Sequence, residues 1–232
     1  MKRDTFLVAL GLFVVGYGTN VSTPFLVLYR DRLDLSANAT QLIFVVYVVG
    51  ILSTLMLAGQ LSDRYGRRRL LIASLALSAL GSAVLIAGRD SFVLLMMGRV
   101  ILGVVSGLGL GVGAAWLQEL MGPAQQHKAA LVATLVTYGG FGAAPPLSVL
   151  YEWLGPSPLI VPFVFHIVLT LAIIPAVASV HETVDVAAEA ARGPWRPAIR
   201  FGIPATARRQ FLWYIGPLAI LIFAFPSMAF AL

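Results

Sequence analysis

The sequence predicts an all-α integral membrane protein of about seven transmembrane helices, six in one block and a seventh set apart. Three observations predict it: an excess of apolar residues, their grouping into runs of bilayer-spanning length, and a one-sided distribution of basic residues. Hydrophobic residues make up 59% of the 232, charged residues 11%, and mean hydropathy is +0.90. Soluble domains run at about half apolar and about a quarter charged, so composition alone excludes that class. The absence of cysteine excludes a disulfide framework and a thiolate metal site. The net charge of +6 needs no nucleic-acid partner, because basic residues in such a chain mark cytoplasmic loops beside the lipid bilayer.

A helix needs about 20 apolar residues to cross roughly 30 Å of hydrocarbon. Runs of that length fall at 5–29, 41–61, 70–88, 92–120, 129–150, 159–180 and 211–232. The start, Met1-Lys2-Arg3 before an apolar run, resembles a signal peptide, but the run is too long and no small-residue cleavage site follows. Connections are short except for one. Residues 181–210 are charged and broken by Pro194, Pro197 and Pro204. The expected organisation is therefore a six-helix bundle over 1–181, a cytoplasmic central loop over 182–210, and a seventh helix over 211–232. That last run ends in "FPSMAFAL" without a polar flank and reads as an interrupted second bundle.

Orientation follows from the basic residues. With the N-terminus inside, Lys2, Arg3, Arg64, Arg67, Arg68, Arg69, Lys128, Arg192, Arg196, Arg200, Arg208 and Arg209 lie on the inner side. Arg30, Arg32 and Arg89 lie outside, and Arg99 falls within a span. The positive-inside rule places the N-terminus and residues 62–69 in the cytoplasm of a cell (inner) membrane.

Between spans 2 and 3 lies "GQLSDRYGRRRLL", residues 59–71, with one acid and four arginines in its centre. It follows the pattern G-x-L-x-D-R-x-G-R-[RK]-x-x-L through Gly59, Leu61, Asp63, Arg64, Gly66, Arg67, Arg68 and Leu71. In sequence and in position it resembles the signature loop of the major facilitator superfamily of secondary transporters. Gly59 and Gly66 are expected to let the chain turn tightly and other helices approach closely. Asp63, near a helix end, is expected either to accept hydrogen bonds from another helix's N–H groups or to pair with an arginine. The reading is a conformational latch, a gate part and not a substrate site.

Span 4 extends the resemblance. Arg99 stands four residues before Gly103, similar to the family's R-x-x-x-G element, with Leu102 where a glutamine is usual. An uncompensated charge inside a span costs about 2.5–3.5 kcal/mol on insertion scales, which makes Arg99 a candidate for coupling or cavity lining. The alternative is snorkelling, since Arg99 lies about two turns from the outer end. In span 5, Gly140 and Gly142 before Pro145-Pro146 resemble the fifth-helix motif of the family's antiporters, without the paired glycines after the proline. After span 6, "HETV" resembles the P-E-T that closes that helix, with His181 in place of proline.

The resemblance implies that helices 1, 4 and 7 line a central cavity. Tyr17 and Asn20 on span 1, and Arg99, Gly103 and Ser106 on span 4, are the candidates to line it, although Tyr17 and Asn20 fit helix packing equally well. Glu119, at the inner end of span 4, reads as an ion-pair partner for the signature-loop arginines, and His166 as a packed histidine. No acid lies in the middle of a span, no metal ligand set occurs, and no cofactor is implied. Residues 211–232 contain no lysine for a retinal linkage, and the spans carry no catalytic dyad or H-E-x-x-H.

The implied function is secondary active transport of small molecules by alternating access, with a second six-helix half in the same protein or another chain. Export of amphipathic compounds by antiport against a proton or sodium gradient is the first reading. Uptake of a nutrient such as a sugar or organic acid on the same fold is the second. An inactive half-transporter, acting only as a membrane interaction partner, is the reading from a different class.

Overall fold

A computed structural model describes residues 2–154 and 157–191, together with Arg209 and Trp213. Six helices in this part are long and apolar enough to cross a membrane: α1 (Arg3–Arg32), α2 (Ala37–Tyr65), α3 (Arg67–Asp90), α4 (Phe92–Met121), α5 (Gln126–Leu154) and α6 (Val161–Ala178). A short helix, α7 (Val186–Ala191), follows. No strand occurs among the described residues. The all-α membrane architecture read from the sequence is the one observed. The seventh span at 211–232, and the central loop beyond residue 191, fall outside the described residues apart from Arg209 and Trp213.

Backbone chemistry explains where the helices start and stop. Hydrocarbon offers no hydrogen bonds, so every N–H and C=O in a span must be satisfied within the protein. Ser36 and Ser91 cap α2 and α4, their hydroxyls accepting from the N–H groups of Ala39 and Leu94. Gly66, at φ +94°, breaks the chain between α2 and α3, and Gly122, at φ +80°, does so between α4 and α5. α5 runs through Pro145 and Pro146 as one helix.

The six spans form two triplets with matching contacts. α2 packs along α4 as α5 packs along α1, and α3 and α6 pack against each other between them. This is the packing expected of an inverted repeat of α1–α3 and α4–α6. α1 is the axis: 72% of its apolar window is buried, against 17% in α2 and in α5. The latter two therefore present broad apolar faces, Leu42, Val45, Val49, Leu52 and Leu55 on one and Leu131, Leu135 and Tyr138 on the other. One buried cluster, around Leu12, Leu71, Leu75, Trp116 and Val177, fills the half toward the signature loop. Another, around Tyr17, Phe25, Leu85, Leu95 and Phe163, fills the opposite half.

Both crossings depend on glycine pairs. At α2/α4, a methyl on Gly50 would sit 2.7 Å from the Val100 carbonyl oxygen, and one on Gly103 would overlap that of Tyr47. At α1/α5, a methyl on Gly16 would sit 2.8 Å from the Thr137 carbonyl oxygen, and one on Gly140 would overlap that of Phe13. The obstacle is backbone each time, which cannot step aside as a side chain can. Gly103 and Gly140 were legible as motif glycines; Gly16 and Gly50 lacked a motif. Gly59 and Gly142 behave differently, since a methyl on either meets nothing. Gly59 lies inside α2, so the turn expected of it is made by Gly66 alone.

Gly103→Val and Gly140→Val are each expected to destabilise the purified protein by about 1–3 kcal/mol or more through overpacking. Gly111→Ala, where a methyl meets open space, is expected to be neutral or slightly stabilising. Thermal unfolding in detergent measures the difference, and an unchanged midpoint for Gly140→Val would contradict the packing described.

Candidate functional site

At the signature-loop end, residues far apart in sequence meet around the Gly66 turn. Glu182, just beyond α6, lays its carboxylate across the start of α3. One oxygen accepts from the Arg67 N–H at 3.0 Å and the other from the Arg68 N–H at 3.0 Å. The first turn of a helix has N–H groups without intrahelical partners and the positive end of the helix dipole, so a carboxylate satisfies both. Gly66 is required there by its φ of +94°, and a methyl on it would also lie 2.5 Å from Glu182 Oε2, so that carboxylate would have to shift.

Arg67 is the centre of the ionic part. Its guanidinium binds Asp63 at 2.7 Å, one turn back on α2, and Glu119 at 2.9 Å, near the end of α4. It also donates to the buried Ser62 hydroxyl, and Glu119 in turn accepts from Thr183. Arg68 donates to the Val180 carbonyl and Arg64 to that of Glu189 in α7. Four segments are thus tied at one point: the end of α2, the start of α3, the end of α4 and the chain after α6. Leu61 is half-buried on the last turns of α2. The Arg67 side chain is 11% exposed and that of Asp63 57%, so the acid keeps an open side although it is paired.

The structure brings the expected signature-loop acid and arginine together with Glu119. Of the two arrangements open to Asp63, the arginine pair is the one formed; the helix N-terminus is capped by Glu182 instead. Sequence reasoning had treated Glu182 only as part of the segment after span 6. The available signal was an acid directly after an apolar span, but nothing local indicates that it folds back onto residue 67. After α6, Glu182 and Thr183 bind the bundle, and α7 packs on α2.

In the opposite half, Arg99 is 1% exposed and turned into the protein, not out to headgroups. It donates to Ser22 Oγ at 2.9 Å and to the Ile43 carbonyl at 3.4 Å. Its guanidinium carbon lies 4.7 Å from the Tyr47 ring centre and 5.9 Å from that of Phe44. Gly103, one turn on, admits α2 closely enough for those rings to reach it, and Ser106 bonds the Tyr47 hydroxyl at 3.1 Å. Tyr47 had not been singled out in the sequence.

The α1 candidates are placed differently. Tyr17 is enclosed by Phe165 and His166, its hydroxyl facing Tyr151 without a hydrogen bond of normal geometry. Asn20 donates to the Phe141 carbonyl at 3.4 Å and accepts from Thr23. Both serve helix packing in this arrangement. His166 is fully buried, bonded to Ser82 at 2.7 Å and Thr170 at 3.0 Å. Among the described residues no cluster of three or more His, Asp or Glu is placed to hold a metal ion.

Two inverted helix triplets, tied at one end by an ionic network and holding a buried arginine near the other, define a helical membrane-transport fold. Residues 8–232 match the Major Facilitator Superfamily, and the chain belongs to that family. It is 33% identical over 122 residues to the human "Solute carrier family 2, facilitated glucose transporter member 12", covering 53% of this chain and 19% of that protein. It is 39% identical over 101 residues to the "Triacylglyceride transporter" of Mycobacteroides abscessus, covering 44% of this chain and 18% of that one. With the "Bacillibactin exporter" of Bacillus subtilis the identity is 30% over 97 residues, 40% of this chain and 24% of that protein. The matched segments thus span only about a fifth to a quarter of those relatives.

The latch geometry makes a specific claim about charge exchange. The double change Arg67→Glu with Glu119→Arg restores one ion pair but sets the introduced carboxylate against Asp63 one turn away. Thermal unfolding of the purified protein is therefore expected to show little recovery over the single changes, each costing about 1 kcal/mol. Adding Asp63→Asn is expected to recover part of the loss, since it removes the repulsion but leaves one pair where the parent has two. A double variant as stable as the parent would show that position 67 does not feel Asp63.

Proposed function

We propose that residues 1–181 form one six-helix half of a secondary transporter that works by alternating access, pairing with a second six-helix half in the same protein or in another chain. The observation that carries this reading is the ionic network around Arg67, which we read as a conformational latch. Asp63 is paired with Arg67 yet more than half exposed, and it stands at the end of α2, whose apolar face is open along the span. A second bundle seated on α2 and α5 would cover those faces and bring a helix end to Asp63. Breaking and making that contact is a two-state element of the kind alternation requires.

The proposed substrate class is amphipathic small molecules, moved outward against a proton or sodium gradient. An arginine walled by aromatic rings and small residues suits a ligand with an apolar body better than a sugar, which asks for several amide and carboxylate partners. The relative named an exporter accords with this direction. The relative named as a facilitated glucose transporter supports the second reading, nutrient uptake. The proposed placement is a cell membrane with the N-terminus and the latch in the cytoplasm, on the strength of the basic residues at that end.

Topology is tested first. The chain lacks cysteine, so Asn38→Cys and Ala124→Cys each supply a unique thiol at an exposed position. An impermeant maleimide on intact cells is expected to label Asn38→Cys and to reach Ala124→Cys only after permeabilisation. The reverse pattern would invert the protein and move the latch outside.

Transport is tested in everted membrane vesicles containing the transporter that carries this chain. An imposed proton or sodium gradient is expected to drive accumulation of an amphipathic dye. Asp63→Asn is expected to reduce the initial rate about tenfold or more, the loss of roughly 1.4 kcal/mol or above from the limiting step, at unchanged abundance in the membrane. Gradient-driven sugar accumulation in right-side-out vesicles, with no dye movement in everted ones, would replace export by uptake. Equal rates for Asp63→Asn and the parent would remove the latch from the mechanism.

A further inference from the structure

Arg99 is enclosed by groups that hold a cation without neutralising it. Ser22 on α1 offers a hydroxyl, Ile43 on α2 a carbonyl, and Phe44 and Tyr47 on α2 their ring faces. No ion pair to Arg99 is formed among the described residues. A buried charge without an opposite charge is the least favourable arrangement for an ion in a bundle interior. Ring faces and a hydroxyl are comparatively weak partners, whereas a carboxylate or phosphate meets a guanidinium through two parallel charge-assisted hydrogen bonds.

Tyr47 covers one side of the Arg99 guanidinium. Its ring is only partly buried, so it stands between Arg99 and the outer surface of the bundle. The Ser106 hydroxyl donates to the Leu102 carbonyl at 2.9 Å, so in the 3.1 Å contact between Tyr47 and Ser106 the tyrosine is the donor. Ser106 is also the first residue of a single π-helical turn, Ser106–Leu110, that interrupts α4. Such turns recur at functional positions in helices because they free backbone groups and loosen the local register.

We propose that the Arg99 chamber is a subsite for an anionic group, the carboxylate or phosphate of an amphipathic solute, with Tyr47 as its lid, latched through Ser106 to the π turn of α4. Rotation of the Tyr47 ring away from Arg99 frees the guanidinium for the anion. The displaced ring and Phe44 then flank the apolar part of the ligand. That the ligand is a transported solute rests on the transport reading above; that the chamber takes an anion does not.

The test reads arginine chemistry and needs no flux. The purified protein is treated with phenylglyoxal, and the adduct at Arg99 is followed by mass spectrometry beside those at Arg32 and Arg89, whose side chains are 51% and 39% exposed. In the parent, Arg99 is expected to react about tenfold or more slowly than Arg89, since reaction requires the lid to open. Tyr47→Ala is expected to bring its rate close to that of Arg89. Tyr47→Phe and Ser106→Ala, which keep a ring but lose the latch, are expected to fall between. In Tyr47→Ala, millimolar benzoate is expected to slow the Arg99 reaction several-fold, while isosteric, neutral benzamide leaves it unchanged.

Reaction of Arg99 in the parent as fast as Arg89 would overturn the lid, and equal protection by benzoate and benzamide would overturn the anion subsite. The Arg32 and Arg89 rates report whether each variant is folded. If Tyr47→Ala alters them, the comparison passes to Tyr47→Phe and Ser106→Ala. A transporter that moves no dye but shows selective benzoate protection would leave the subsite standing and remove the export reading. Dye export without selective protection would do the opposite.

Discussion

Everything in this bundle depends on how closely its helices can approach. Lipid tails are as apolar as leucine, so burial of apolar surface does not drive spans together as it drives a soluble core. Close backbone contact does, and it is available only where no Cβ intervenes. Gly50 with Gly103 sets the α2/α4 crossing, and Gly16 with Gly140 sets that of α1/α5. The two pairs occupy corresponding places in the two triplets, so one packing solution is used twice with opposite orientation. Arg99 and Tyr47 lie about one turn from the first pair, which explains how a ring on α2 comes to lie 4.7 Å from a guanidinium on α4. Tyr17 lies beside the second pair, enclosed by Phe165 and His166.

The polar chemistry is divided between the two ends of the bundle according to what each must do. At the signature-loop end the groups are charged and partly solvated, and several segments share them. Individual exposed ion pairs contribute little, and the strength here comes from one arginine serving two acids and one acid capping a helix. Toward the other end, where Arg32 and Arg89 pair with Asp90 at the surface, one buried charge, Arg99, is shielded from lipid and water by rings and a hydroxyl. The first arrangement is an open ionic network, the second an enclosed cation.

Much of this was legible beforehand because the bilayer constrains sequence so strongly. Six of the seven apolar runs correspond to the six long helices, with ends displaced by a few residues where Ser36, Gly66, Ser91 and Gly122 set the boundaries. The Arg67–Glu119 pair was legible too, since both residues lie at the same end of neighbouring spans and carry opposite charge. Glu182 was not, because its partners are backbone N–H groups 114 and 115 residues away and no side-chain complementarity announces them. Gly59 misled for a related reason: a glycine at a motif position suggests a turn, while helix or turn at that point is decided by the neighbouring Gly66.

The sequence by itself determined the solvent, the number and order of the spans in the described part, and which end collects the charges. Each follows from composition and spacing measured against a slab of fixed thickness, and needs no knowledge of neighbours. The tertiary structure alone decided which residues face each other across the spans. It put Glu182 on the start of α3, turned Arg99 inward onto Ser22 and Tyr47, and closed Tyr17 into packing. Those outcomes depend on helix rotation and crossing, which the glycine pairs govern through backbone contact between segments distant in sequence. A hydropathy pattern that is apolar all round a helix carries no information about that rotation.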